Sequence, residues 1–198
     1  EVNGDGDMGM IVVNYLNQIR IVEGLRDLLK VSKMNRVVLV SSLMQYAATK
    51  RDLSLSFSEL QPESVDSNLY AISKAQQVLY AKALSKRGHF AVSLHPGAIA
   101  SKIFNGKNNP KFLSEVLYGT ELLAPISETV FNIMSRGIEL LWESPINGGK
   151  RVLYATLDKR VPNGAFIADY DLFDIFISYD NELIDTYYEK TLKKLSIQ

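Results

Sequence analysis

Apolar residues along the first part of the chain follow two different periods. Between Ile11 and Leu29 they recur every three or four positions, which predicts a helix with one apolar face. The segment Arg36 to Ser42 is instead a short aliphatic run entered from a polar turn, which is typical of a strand buried on both faces of a parallel sheet. The helical stripe consists of Val12, Leu16, Ile19, Val22, Leu25 and Leu29.

The middle of the chain predicts a second helix and a second strand. Residues Leu69 to Lys86 are rich in alanine, leucine, lysine and glutamine, which favour helices. The apolar run Phe90 to Leu94 predicts a strand, and Pro96-Gly97 ends it. Residues 45–66 carry no clean period, and we interpret them as a long excursion of the kind that often carries function.

The second half continues the alternation of helices and strands. Residues 100–110 resemble a loop, and Ser127 to Trp142 predicts a helix with Ser127 as its N-cap. Gly148-Gly149 predicts a turn, and Arg151 to Ala155 predicts a third strand. The charged, amphipathic residues Asn181 to Leu195 predict a final helix. This order indicates an α/β fold with a parallel sheet and right-handed crossovers.

Composition narrows the classes of function. The chain has 198 residues, and its 22 Lys and Arg balance its 22 Asp and Glu. A neutral balance gives no electrostatic basis for binding nucleic acid. The absence of cysteine excludes disulfides, thiolate chemistry and cysteine-based zinc sites. No apolar run approaches the roughly 20 residues that span a bilayer, so we expect no membrane span in this chain. The absence of cysteine fits a reducing compartment, and we expect a cytoplasmic location.

Polar residues that form turns follow both of the first two predicted strands. Ser41-Ser42 follows the first strand, and Pro96-Gly97 follows the second. In open parallel sheets, ligands bind outside the carboxyl ends of the strands. We therefore expect a ligand site at this edge of the sheet.

Tyr70 and Lys74 supply candidate chemistry at that edge. They lie at the start of the helix between the two strands, and a spacing of four places them on one helix face. An ammonium group favours the phenolate, so Lys74 is expected to lower the pKa of Tyr70. Tyr70 could then exchange a proton with an alcohol or carbonyl oxygen, while a serine at the adjacent strand end hydrogen-bonds that oxygen. Ser41 and Ser42 are both placed to do so.

A second Tyr-x-x-x-Lys spacing, Tyr46 to Lys50, shows that the spacing alone is weak evidence. Tyr46 follows Ser42 by four residues and lies inside the aperiodic excursion. Tyr70 opens a strong helix that leads directly into the second strand. We therefore take Tyr70 as the reactive tyrosine.

These features together resemble the short-chain dehydrogenase/reductase family, and within it the retinol-dehydrogenase-like branch. That family has a serine at the end of its fifth strand, Tyr-x-x-x-Lys on the next helix and Pro-Gly after the sixth strand. It also has an asparagine in the preceding helix and a threonine three residues after Pro-Gly that contacts the cofactor. The corresponding residues here are Ser42, Tyr70, Lys74, Pro96, Gly97 and Asn14, with Ser101 at the threonine position.

The resemblance implies a role for each of these residues. Tyr70 would be the general acid and base, Ser42 would orient the reacting oxygen, and Lys74 would lower the tyrosine pKa and bind the nicotinamide ribose. Asn14 would shape its helix so that a water relays protons from Lys74. The cofactor-binding residues would be Tyr70, Lys74, Pro96, Gly97, Ile99 and Ser101. The implied reaction interconverts an alcohol and an aldehyde or ketone, with a small-molecule substrate and NADP or NAD as cofactor, NADP being favoured.

One family feature is missing from the sequence. No glycine-rich turn follows a strand, since Gly4-Asp5-Gly6 has no strand before it. We therefore expect residues 1–198 to form a single truncated Rossmann-like catalytic domain, a three-layer parallel sheet without its N-terminal nucleotide-binding strands. The alternative is a scaffold or assembly subunit that has lost its cofactor. Either form would expose a sheet edge, through which a homo-oligomer could form.

Two other features suggest chemistry only weakly. His95 precedes Pro-Gly and is more typical of local packing than of catalysis. The acidic stretch 169–174 lacks the glycine and closing glutamate of a calcium loop, and we interpret it as a substrate-side lid or surface strand. No metal ligand set is predicted.

Overall fold

The computed structural model describes residues 4, 6–99, 143–172 and 179–197. The predicted loop at 100–110, the predicted helix at 127–142 and Ser101 lie outside the described residues.

Four strands form one sheet whose spatial order follows the chain. They are β1 (Arg36–Val40), β2 (Phe90–His95), β3 (Phe166–Ala168) and β4 (Asp171–Leu172). The first three strands are mutually parallel, and β4 pairs antiparallel with β3. The fold is therefore α/β, as predicted, with a three-stranded parallel sheet at its centre.

Helical segments surround this sheet. They are α1 (Gly9–Ile11), a π-helical turn (Val12–Leu16), α2 (Asn17–Gly24), α3 (Arg26–Val31), a 3₁₀ helix (Leu43–Ala47), α4 (Lys50–Ser54), a 3₁₀ helix (Phe57–Glu59), α5 (Leu69–Lys86), α6 (Pro145–Leu157) and α7 (Asn181–Leu195). None of these helices is both long and apolar enough to cross a membrane.

Apolar side chains are buried on both faces of the sheet. Val37 and Leu39 of β1 face the core that α5 and α7 also form. Leu94 of β2 and Ile167 of β3 face a second core, together with Ala155 of α6. Residues two apart along a strand share a face, so this division follows directly from the strand pattern. The helical layers hold β2 in the interior and bring its carboxyl end beside that of β1.

The predicted turn at Gly148-Gly149 and the predicted strand at 151–155 are wrong. Both segments belong to α6, which begins after Ser144 as N-cap and has Pro145 at its first position. Gly148, Arg151 and Ala155 are its buried residues, and their spacing is helical. The apolar run within this segment resembles a strand in sequence. In the structure, its buried residues are those that face the sheet when the segment packs on it as a helix.

The third strand lies further along the chain than predicted. It is the three-residue β3, which follows a tight turn at Gly164. Such a short segment carries too few residues to show a period. The alternation of helix and strand in the prediction is nevertheless retained, because α6 precedes β3 and α7 follows the hairpin of β3 and β4.

Candidate functional site

The two serines at the end of β1 have different partners. Ser41 donates a hydrogen bond to the backbone carbonyl of Lys74 at 2.8 Å and so fixes the strand end to α5. The hydroxyl of Ser42 accepts a hydrogen bond from the backbone N–H of Met44 at 3.2 Å. It also lies close enough to the side chain of Tyr70 to act on the pKa of that phenol. Ser42, and not Ser41, is therefore the serine that contacts the candidate tyrosine.

Tyr70 and Lys74 lie in the first turns of α5. The side chain of Asn68 caps this helix by accepting a hydrogen bond from the backbone N–H of Ala71 at 2.7 Å. Lys74 Nζ lies 5.5 Å from the centre of the Tyr70 ring. The same ammonium group donates a hydrogen bond to the carbonyl of Val40 at 3.0 Å. The strand end, the tyrosine and the lysine thus form one cluster.

Burial dominates the protonation of this cluster. It raises the pKa of Tyr70 above its ordinary value, although the nearby Ser42 hydroxyl acts in the opposite direction. It lowers the pKa of Lys74 to about 8. The net pKa of Tyr70 is therefore raised, because removal of the phenol from water has the largest effect, and the expectation that Lys74 lowers it stays a prediction. At neutral pH, Tyr70 is a neutral proton donor and Lys74 is mostly protonated.

The second Tyr-x-x-x-Lys spacing forms no such cluster. Tyr46 belongs to a 3₁₀ helix, and its ring packs edge-on against Phe166 with the ring centres 6.0 Å apart. Lys50 begins α4 after Thr49, which caps that helix. Lys50 Nζ pairs with the carboxylate of Asp180 at 3.0 Å. Tyr46 and Lys50 thus belong to two different helices, whereas one continuous helix would place them on the same face.

Asn14 lies in the π-helical turn and contacts α5 beside the cluster. Its side-chain amide donates a hydrogen bond to Ser73 Oγ at 3.2 Å. Its backbone carbonyl accepts a hydrogen bond from Gln77 Nε2 at 2.8 Å. Ser73 in turn donates to the backbone carbonyl of Tyr70 at 2.8 Å. Asn14 thus reaches the turn of α5 that carries Tyr70 and Lys74, and its predicted part in a proton relay stays a prediction.

The turn after β2 lies at the same sheet edge as Ser42. Val40 and Leu94 are paired in the parallel register of β1 and β2. Gly97 adopts a φ of +98°, a left-handed conformation that favours glycine. Ile99 packs so closely on α6 that a Cβ on Gly148 would lie 2.7 Å from Ile99 Cδ1. The backbone from Pro96 to Ile99 is thus held against α6 at this edge of the sheet.

These residues fit the nicotinamide half of a dinucleotide. An ammonium group has three N–H donors, and Lys74 uses one of them on Val40. Two donors remain for ribose hydroxyls, and the Pro96–Gly97 turn lies at the same edge of the sheet. Among the described residues, no glycine-rich turn joins a strand to a helix in the way that diphosphate binding requires. The fit therefore covers one end of the cofactor.

A buried arginine at this edge was missed from the sequence. Arg151 of α6 forms salt bridges with Glu143 and Asp169, both at the sheet edge where the Pro96–Gly97 turn lies. Arg151 lies three residues after Gly148 and four before Ala155, which is a helical spacing. Because this segment was predicted to be a strand, that spacing was not used. Burial, with a contribution from Arg151, lowers the pKa of the neighbouring His95 to about 4, so this histidine is neutral at pH 7.

No model of a known protein family matches this chain, and a comparison with curated proteins finds no significant match. The resemblance to short-chain dehydrogenase/reductases therefore depends on the motif residues and on their arrangement at the sheet edge.

Proposed function

We propose that this chain carries the catalytic site of an NAD(P)-dependent short-chain dehydrogenase/reductase with a Rossmann-like fold. One observation carries the proposal. Ser42, Tyr70 and Lys74 come from the end of β1 and the start of α5, and they form one cluster at the sheet edge where the Pro96–Gly97 turn also lies. Sequence spacing alone does not require this arrangement, since the spacing of Tyr46 and Lys50 produces nothing similar.

The groups in the cluster suit proton transfer to a carbonyl oxygen. The nicotinamide cofactor, when bound, would supply the hydride to the carbonyl carbon. Tyr70 would donate its proton to the oxygen as the alcohol forms, and the Ser42 hydroxyl would hydrogen-bond the same oxygen. Lys74 stabilises the phenolate that Tyr70 becomes and, with a pKa of about 8, can return a proton to it.

The protonation of the free site favours reduction over oxidation near neutral pH. Burial raises the pKa of Tyr70, so the phenol enters the reaction with its proton in place. Alcohol oxidation would need the phenolate as base, and burial disfavours that form. We therefore propose an aldehyde or ketone as the substrate at physiological pH.

The test combines cofactor binding with turnover of a carbonyl substrate. Titration with NADPH and NADH, followed by nicotinamide fluorescence, should show saturable binding. Tyr70→Phe should lower kcat by about 100-fold or more, since general acid catalysis contributes at least that much. The melting temperature should stay unchanged. Tyr46→Phe is the matched control, because it removes the hydroxyl of the other Tyr-x-x-x-Lys pair.

Two results would count against the proposal. Full activity in Tyr70→Phe would remove the tyrosine from the chemistry. Failure of the protein to bind either nucleotide at millimolar concentration would mean that this chain does not work alone and is either a fragment of the enzyme or a scaffold.

A further inference from the structure

The guanidinium group of Arg151 joins three separate chain segments at the carboxyl edge of the sheet. It donates to both carboxylate oxygens of Glu143 at 2.6 Å and to the carboxylate of Asp169 at 2.5 Å. It also donates to the backbone carbonyl of Pro96 at 2.9 Å. Arg151 lies on α6 and Glu143 directly precedes the N-cap of that helix, so the three segments joined are α6 with its start, the Pro96–Gly97 turn and the turn at Asp169.

Arg151 is buried while it makes these contacts. Only 8% of its side chain is exposed, and its charge is matched by two carboxylates. Burial of an ion is costly unless it is paired and hydrogen-bonded, and both carboxylates and the Pro96 carbonyl meet that condition for Arg151. Bidentate pairing with Glu143 requires the planar fork of arginine, which lysine lacks.

The Pro96–Gly97 turn is shaped around this guanidinium group. A Cβ on Gly97 would lie 2.4 Å from Arg151 Nη1, so glycine is needed for the close approach as well as for its positive φ. The backbone beyond the turn is fixed by Glu143, whose N–H donates to the carbonyl of Ala98 at 2.8 Å. Arg151 thus holds the turn directly and also through Glu143.

The same arginine fixes the hairpin turn between β3 and β4. Asp169 and Tyr170 form this turn with φ values of +52° and +66°, which non-glycine residues seldom adopt. The ion pair with Arg151 holds Asp169 there. The Tyr170 ring lies 5.4 Å from the ring of Tyr154 on α6. A turn in an unfavourable backbone conformation is therefore held to α6 by two contacts.

We propose that Arg151 is a positioning residue that holds the Pro96–Gly97 turn in its cofactor-binding conformation and couples it to the Asp169–Tyr170 turn. This inference rests on the proposed function, because the turn after β2 is where the nicotinamide would bind. Arg151 acts through the backbone of these turns and does not touch the reacting atoms. Its loss should weaken cofactor binding and leave the proton-transfer step intact.

The experiment compares Arg151→Lys and Arg151→Met with the wild-type protein. Arg160→Met is the matched control, since Arg160 follows the same helix but is 82% exposed and pairs only at the surface with Asp158. The first readout is hydrogen–deuterium exchange of segments 97–99 and 166–172 without cofactor. The second is KM for NADPH or NADH and kcat, measured with a carbonyl substrate.

Faster exchange in both segments, together with a KM raised about tenfold at nearly unchanged kcat, is the expected result for both Arg151 variants. Arg160→Met should match wild type. A merely structural role would reduce the folded fraction and so lower kcat without a change in KM. Unchanged exchange in the two turns, or an unchanged KM, would overturn the proposal. If the wild-type protein binds neither cofactor, the proposed function fails, while the exchange data still decide whether Arg151 couples the turns.

Discussion

At the scale of single residues, the protonation of Lys74 links the structure to a measurable pH dependence. Its ammonium group is held between the Tyr70 ring and the carbonyl of Val40. Burial lowers its pKa to about 8, so the charged form is lost just above physiological pH. Because the charge stabilises the phenolate formed at Tyr70, loss of the proton should slow reduction.

We expect kcat/KM for carbonyl reduction to fall as the pH rises through about 8, where Lys74 loses its proton. In Lys74→Arg the guanidinium stays charged at these pH values, so the fall should move to higher pH even if the maximal rate is lower. The pH profile of both proteins between 6 and 10 measures this. An identical profile in the variant would show that another group titrates.

At the scale of elements, the excursion between β1 and α5 is held in shape by one buried carboxylate. Asp52 accepts hydrogen bonds from the backbone N–H groups of Thr49, Asp66 and Ser67 and from the Ser67 hydroxyl. The absence of a sequence period in this excursion therefore does not mean that it lacks structure. The excursion leads directly into Asn68, the N-cap of α5. Asp52 therefore helps to set where α5 begins and where Tyr70 lies.

Asp52→Asn should lower the free energy of unfolding by about 2–3 kcal/mol at pH 7, because hydrogen bonds to a charged acceptor are lost. Burial acts to raise the pKa of Asp52, but the hydrogen bonds from Ser67, Asp66 and Thr49 lower it below the ordinary value of 3.8. A carboxylate whose pKa is lowered by folding stabilises the protein at pH values above its ordinary pKa. This stabilisation is lost as the pH falls from the ordinary pKa through the lowered pKa of the folded protein.

Urea unfolding between pH 2 and 7 checks this prediction. The difference between wild type and Asp52→Asn should shrink on the acid side. Asp66→Asn is the control, because Asp66 is exposed and its carboxylate pairs with Arg51 at the surface. An equal cost for both variants would contradict the role given to Asp52.

Two adjacent glycines test whether residues 145–157 form a helix. Gly149 faces open space, so Gly149→Ala should raise the free energy of unfolding by about 1 kcal/mol through helix propensity alone. Gly148→Ala would gain the same propensity, but its Cβ would lie 2.7 Å from Ile99 Cδ1. It should therefore be at least about 1 kcal/mol less favourable than its neighbour.

Denaturant unfolding of the two glycine variants distinguishes the helix from the turn and strand that the sequence suggested. Alanine in a tight glycine turn would destabilise the protein. A loss of stability in Gly149→Ala would thus argue against α6.

At the scale of the whole molecule, β1 is an edge strand in the sheet formed by the described residues. Apolar side chains are exposed near it on both helical layers. On α3, the side chains of Leu28 and Val31 are 64% and 80% exposed. On α6, Ile146 is 71% exposed. Exposed edges and apolar patches favour pairing with another chain.

We expect the protein to self-associate in a concentration-dependent way through the α3 surface. Replacing both Leu28 and Val31 with Lys should increase the monomer fraction in sedimentation velocity and leave the melting temperature nearly unchanged. Ile146→Lys is the control, since it places a lysine at an exposed apolar position of the other helical layer. A monodisperse wild-type monomer at high concentration would contradict the expectation.

Sequence patterns were sufficient wherever structure is decided locally. The composition of residues 69–86 and the apolar runs at 36–40 and 90–94 specified α5, β1 and β2 at nearly their observed bounds. The spacing of Tyr70 and Lys74 placed them on one helix face. Local propensity failed at 151–155, where the choice between strand and helix depends on the sheet face that buries Ala155.

The sequence by itself determined the α/β class, the positions of β1, α5 and β2, and a short set of candidate residues, because these follow from periods and spacings within single elements. Only the tertiary structure decided that Ser42 and not Ser41 contacts Tyr70, and that Arg151 binds Pro96 and Asp169. Those contacts join segments far apart in the chain. Their geometry depends on how the helices and strands pack, which no local pattern contains.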